Sequence, residues 1–153
     1  MDNKILLEYV WLDGYSTQNL RSKVKVVNID SLVWHGNDKL DVKSLPIWDF
    51  DGSSTQQAPG DNSECHLVPV RIYQENDEQY LVMCEVFQTV ITNKNGTFYD
   101  GIPHTSNQRA QLRSKVPNAD QQEFWWGFEQ EYFIRDEKGN ILGWPSLGHP
   151  RPQ

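Results

Sequence analysis

Tyr80 to Val90 (Tyr-Leu-Val-Met-Cys-Glu-Val-Phe-Gln-Thr-Val) is the most strongly apolar run in this chain. Its aromatic and β-branched residues favour a buried strand. It is far short of the ~20 apolar residues needed to span a membrane, and no other run comes closer. Glu85 interrupts it. A carboxylate there either faces solvent on an open sheet face or is buried with a partner. Further strands are predicted by the same logic. Residues 4–12 read as a buried strand ended by Asp13-Gly14. Residues 21–29 alternate Lys23, Val24, Lys25 and Val26, which predicts a half-exposed strand with the basic residues outward and a hairpin with 4–12. Leu67 to Tyr73 reads as a strand whose Pro69 marks an edge or an irregularity. Gln74 to Glu78 reads as an acidic turn. The first hundred residues thus predict about five strands and little helix.

Residues 92–103 are rich in breakers and mark a candidate domain boundary. Beyond them, Thr105 or Ser106 is expected to cap a helix over 107–116, stopped by Pro117, with Arg109, Arg113 and Lys115 on a solvated face. Phe124 to Ile134 is expected to return to strand, and Asp136 to Asn140 to turn it into a hairpin with the run that begins at Ile141. One helix and one hairpin are too little for an independent core, so a truncated chain is expected.

Composition narrows the partners. The formal net charge is −7, which argues against a nucleic-acid backbone and favours small cations or metal-bound substrates. The 5–12 run lacks a basic leader or a cleavage site and does not read as a signal peptide. Cys65 and Cys84 have no CxxC spacing, so free thiols in a reducing cytoplasm are expected, with no membrane partner. The histidines are scattered without an HxxxH pair, and each reads as structural or exposed.

Two stretches carry candidate chemistry. Trp48-Asp49-Phe50-Asp51-Gly52-Ser53-Ser54-Thr55 alternates aromatics with carboxylates and then presents hydroxyls on a long polar loop reaching Glu64. It reads either as a plain turn at Asp51-Gly52 with a serine cap, or as a reactive edge held by aromatic anchors. The second stretch holds Glu129 and Glu131, two apart in the expected strand 124–134, and therefore on one face. Either they are ordinary outward residues, or burial among Trp125, Trp126, Phe128, Tyr132 and Phe133 would demand a divalent cation or a raised pKa. Hard ions such as Mg²⁺ or Mn²⁺ suit carboxylate oxygens and bind substrate phosphates. A glycosidase pair is disfavoured, because adjacent strand positions leave no room for a sugar between the acids.

Seven segments, taken in order, resemble the N-terminal part of glutamine synthetase in its eukaryotic-type (type II) branch. They are Leu7-Glu8-Tyr9-Val10-Trp11-Leu12-Asp13-Gly14; Leu20-Arg21-Ser22-Lys23; Trp48 to Thr55 with Gly60-Asp61-Asn62-Ser63-Glu64; Cys84-Glu85-Val86-Phe87; Asn107-Gln108-Arg109; Trp126-Gly127-Phe128-Glu129-Gln130-Glu131-Tyr132; and Gly143-Trp144-Pro145. The resemblance implies an α+β chain: a β-grasp domain over 1–103 and an incomplete start of the catalytic domain over 104–153. It implies an enzyme that joins ammonium to glutamate at the expense of ATP, through a γ-glutamyl phosphate, in a homo-oligomeric ring whose sites are shared between subunits. Glu129 and Glu131 match strand glutamates that ligate Mg²⁺ or Mn²⁺, with Glu129 and Trp125 toward the nucleotide. Asp51 matches an aspartate that holds ammonium and takes its proton in the neighbouring subunit's site, with Ser54 supplying a hydrogen bond from the same loop. Asp49 departs from the asparagine that many relatives carry, and the Cys65-His66 pair has no role in the pattern. Further metal ligands, the glutamate-binding segment and the phosphate-binding arginines of the family lie in a longer catalytic domain. This chain alone is therefore expected not to make glutamine. A stand-alone β-grasp module that co-assembles with full-length subunits is the other expectation.

Overall fold

The long apolar run is the spine of a mixed sheet in a computed structural model that describes residues 3–36, 39–93 and 98–143. The chain divides into two compact units, Met1–Pro117 and Asn118–Gln153. The first holds strands β1 (Lys4–Leu12), β2 (Leu20–Asn28), β3 (Trp34–His35), β4 (Lys39–Leu40), β5 (Trp48–Asp51), β6 (Glu64–Gln74), β7 (Gln79–Thr92) and β8 (Phe98–Pro103), then helix α1 (Gln108–Lys115). The main sheet is six-stranded in the order β2-β1-β7-β6-β5, with β8 also pairing β7; β3 and β4 form a separate small hairpin. β1 runs parallel to β7, and the other pairings are antiparallel. The fold is α+β, as expected.

Alternation along the strands builds the core. Ile5, Leu7, Tyr9 and Trp11 of β1 point to the same side as Tyr80, Val82, Cys84 and Val86 of β7 and Cys65 and Leu67 of β6, and all are buried. The connection from 29 to 47 lies over this face and adds Leu32, Leu40 and Leu45. The Tyr9 hydroxyl donates to the Pro46 carbonyl at 2.6 Å, so the largest fully buried side chain ties that connection to the sheet. Pro69 sits not at an edge but inside β6, where the register with β7 shifts between Pro69 and Arg71. A proline has no N–H to give a ladder, and the irregularity absorbs that loss.

Three expectations change. The lysines of β2 do not face outward. Pairing sets Lys23 opposite Tyr9 and Lys25 opposite Leu7, on the core side, where their ammonium groups lie 3.6 and 4.7 Å from the Trp48 ring centroid. Val24 and Val26 take the exposed side instead. Alternation shows which residues share a face, not which face is covered, and a lysine stem packs well on an indole. Second, Phe98–Pro103 at the end of the breaker-rich stretch form β8, a strand of the main sheet, where no strand was expected. Third, residues 124–134 form no strand. Among the described residues of Asn118–Gln153, one isolated bridge, Arg135 to Ile141, is the only β pairing, so the backbone of 124–134 has no ladder to join. A strand without a neighbour is not stable in water. Asp136 nevertheless closes the expected turn, accepting from the backbone N–H of Lys138 and Asn140 at 2.9 and 2.8 Å.

β7 also explains the helix cap. On one edge it pairs β1 over Gln79–Met83 and β8 from Phe87 onward, leaving Cys84, Glu85 and Val86 between them. Asn107 fills that gap at Val86. Its carboxamide accepts the Val86 N–H at 2.8 Å and donates to the Val86 carbonyl at 2.7 Å, as a neighbouring strand would. The residue before α1 is thus spent on the sheet, and its side chain makes no capping bond to the helix. Arg109 reaches Glu85 at 2.5 Å, so Glu85 is a half-buried carboxylate with a partner. Asn107→Ala removes both bonds and leaves the Val86 N–H without a partner, while the Val86 carbonyl keeps the His104 N–H at 2.9 Å; it should destabilise the chain by ~2 kcal/mol in urea unfolding. An unchanged midpoint would show that the gap is closed some other way.

Candidate functional site

The loop after β5 is built from its own residues. Asp51 ends the strand and caps a 3-10 turn over Gly52–Thr55. Its Oδ1 accepts the Ser53 N–H at 2.9 Å and the Ser53 hydroxyl at 2.6 Å, while the Ser54 hydroxyl donates to the Asp51 carbonyl at 2.9 Å. Asp-Gly-Ser-Ser is a sequence suited to this, since short acceptors and hydroxyls close turns locally. The Ser53 hydroxyl, and then its N–H, hold the Asp51 carboxyl below the usual carboxylate range. Asp51 is therefore an exposed, ionised carboxylate at neutral pH, able to attract a cation. Asp51 and Ser54 lie on the same turn, as read from sequence.

What holds the turn in place was not legible. Gly52 packs so closely that a Cβ would stand 2.5 Å from Cys65 Sγ, and its N–H donates to the Ser63 carbonyl at 2.7 Å. Gln56 takes a left-handed conformation and ends the turn. Gln57 is then fully buried. Its Oε1 accepts from the Thr55 hydroxyl at 2.8 Å, and its Nε2 donates to the Leu12 carbonyl at 3.0 Å and to Ser106 Oγ at 2.8 Å. Gly14 meets the same loop: its N–H donates to the Thr55 carbonyl at 2.8 Å, and a Cβ on it would collide with the Gln56 carbonyl. Beside it, Asp13 is wholly buried and accepts from Asn19 N–H at 3.0 Å and Arg21 Nε at 3.1 Å. Burial pushes the Asp13 carboxyl up, and the N–H groups of Asn19 and Tyr15 with Arg21 outweigh it, leaving the group below its ordinary value. His104 accepts the Ser106 N–H at 3.1 Å through Nδ1, and burial lowers its pKa, which favours the neutral ring needed for that bond. Asp13 and Asn107 lie in two of the family-like segments and Ser106 was a candidate helix cap, but nothing in the sequence joined them to one another or to Gln57.

Glu129, Glu131 and Trp125 stand in the second unit, all three exposed, on a stretch without regular structure. The shared strand face that would have aligned the two glutamates is absent, and Trp125 and Phe128 are 98% and 93% exposed rather than enclosing them. Their donor type still suits a hard divalent ion, but two carboxylates supply only part of a six-oxygen shell. On β5 and β6, a further group stands on the face opposite the core: Asp49 Oδ1 lies 2.7 Å from His66 Nδ1, with Glu64 two residues before His66.

No family model matches the chain. It is similar over nearly its whole length to several curated proteins. It is 42% identical over 154 residues to the glutamine synthetase of Bradyrhizobium diazoefficiens, covering 98% of this chain and 38% of that protein. It is 38% identical over 159 residues to a chloroplastic glutamine synthetase of Chlamydomonas reinhardtii, covering 95% of this chain and 37% of that one. It is 35% identical over 157 residues to the mitochondrial glutamine synthetase 1 of Drosophila melanogaster, covering 99% of this chain and 34% of that one. The chain thus spans little more than a third of the length of these relatives, and over nearly all of its own length it is similar to glutamine synthetases.

Proposed function

We propose that this chain is the N-terminal portion of a glutamate–ammonia ligase, with residues 1–103 as its β-grasp domain and 104–153 as the start of its catalytic domain. The full activity would be ATP-dependent formation of glutamine through γ-glutamyl phosphate. The observation that carries this reading is the Asp51 turn. An exposed carboxylate, kept ionised by Ser53, is held at the rim of a sheet by a buried network. A carboxylate so placed attracts ammonium, and by accepting its proton leaves neutral ammonia as the nucleophile. Ser54 braces the backbone of the same residue and is the candidate second group. The acceptor site itself would come from another subunit of a homo-oligomer, where glutamate and ATP bind.

Glu129 and Glu131 are the residues that would hold Mg²⁺ or Mn²⁺, with Trp125 and Glu129 toward the nucleotide. Bound there, the ion would neutralise phosphate charge during phosphoryl transfer. Both carboxylates are exposed and would need further ligands from outside residues 1–153. No helix among the described residues is long and apolar enough to cross a membrane, and Cys65 and Cys84 are both free thiols, in keeping with a reducing cytoplasm.

A second reading, a non-catalytic module that co-assembles with full-length subunits, draws on one observation: Met1–Pro117 is a compact unit with its own core. Mixing the chain with a full-length relative and measuring ring mass and activity tests it. No change in either removes that reading.

The purified chain should form no glutamine from glutamate, ATP and ammonium; product formation without added full-length enzyme would overturn the incomplete-site reading. In a chimera that joins residues 1–117 to the remainder of the Bradyrhizobium diazoefficiens relative, Asp51→Asn should lower kcat by ~100-fold, the scale of a lost general base. The unsubstituted chimera is the reference. Equal steady-state rates for the two proteins would remove Asp51 from the mechanism.

A further inference from the structure

We propose that Asp49, Glu64 and His66 form a binding site for a transition-metal dication of the Zn²⁺ class, on the sheet face opposite the core. The pairing of β5 with β6 creates it. Asp49 and His66 are direct cross-strand partners, and Glu64 stands two residues before His66, so all three side chains leave the same face. One ring nitrogen of His66 and one carboxylate oxygen from each acid lie within 4.8 Å of one another. Tetrahedral Zn²⁺ with bonds of about 2.0–2.2 Å sets its ligand atoms roughly 3.4 Å apart, so rotamer adjustment of two exposed carboxylates closes the set. The Asp49–His66 contact, at 2.7 Å, is already tighter than that.

The anchor is the histidine. Its side chain is 17% exposed, against 61% for Asp49, so the imidazole is held while the acids can move onto an ion. The strands beneath are rigid: Trp48 and Phe50 alternate with Asp49 on β5 and pack on Tyr9 and Trp11, with ring centroids 5.4 and 4.8 Å apart. The site opens into a cleft lined also by Lys43, Ser44 and Thr92. Two carboxylates against one lysine leave the cleft net negative. An imidazole with two carboxylates selects Zn²⁺ and its transition-metal neighbours over Mg²⁺, which prefers oxygen alone. The site uses neither Glu129 nor Glu131, and its ion needs no ligand from outside this chain except water.

The test is calorimetric titration of the whole chain with Zn²⁺, and separately with Mg²⁺, with folding of every variant checked by circular dichroism. One Zn²⁺ per chain is expected, and excess Mg²⁺ should not displace it. His66→Ala, Asp49→Ala and Glu64→Ala should each weaken Zn²⁺ binding by at least ~10-fold. His35→Ala, which removes the other histidine–carboxylate pair, should leave it unchanged. Wild-type affinity in His66→Ala, equal loss in His35→Ala, displacement by Mg²⁺, or no binding at all would each overturn the proposal. Visible absorption of the Co²⁺ form adds an independent readout. A nitrogen–oxygen ligand field is expected, and a thiolate charge-transfer band would instead assign the ion to a cysteine.

Discussion

The long central strand cannot be satisfied by strands alone, and much of the structure follows from how the shortfall is met. β7 is bordered on one edge by β1 and then by β8, and neither reaches Val86. A buried peptide group without a partner is costly, so something must take both its N–H and its carbonyl. Asn107 takes both, sharing the carbonyl with the His104 N–H at 2.9 Å, and these bonds bring the segment from His104 to Asn107 against the sheet. Ser106 then lies within reach of Gln57, and Gln57 holds Thr55 and the carbonyl of Leu12. A defect in one strand edge is thus linked, bond by bond, to the turn that carries Asp51. The links are polar and buried, where each lost partner leaves another group unsatisfied.

Much of the fold was legible because it depends on short-range patterns. The buried alternation of Ile5, Leu7, Tyr9 and Trp11, the apolar run of β7 and the disturbance at Pro69 are local statements that tertiary packing did not overrule. The Asp51 turn was legible for the same reason, since its acceptor and hydroxyls all fall within four residues. Lys23 and Lys25 were misread because the side on which an alternating strand is buried depends on what covers the sheet, and Trp48 lies far away in sequence. Gln57 and Asn107 were missed on the same ground. Their partners are 45 or 49 and 21 residues distant, and no pattern inside a short window encodes that.

Residues 124–134 show the converse. Their aromatic and branched composition is that of a strand, and propensity alone predicts one. Propensity does not supply backbone partners. In the unit Asn118–Gln153 a single bridge is described, and the aromatics that would form a buried face are exposed. Strand formation is a property of the sheet, so a segment of strand composition remains irregular where no second strand is in register beside it.

β5 shows how one short strand separates structural and chemical work. With a repeat of two, Trp48 and Phe50 must point one way and Asp49 and Asp51 the other. The aromatic pair is clamped by Tyr9 and Trp11, which fixes the backbone that both acids share. The acids then differ only by what stands next to them. Asp51 meets Ser53 and stays a lone anion at the start of a turn, whereas Asp49 meets His66 across the ladder and becomes part of a mixed nitrogen–oxygen set. Neighbours of different chemistry, placed by the same pleat, give two carboxylates two residues apart two different settings: the hydroxyl and N–H of a serine around one, an imidazole beside the other.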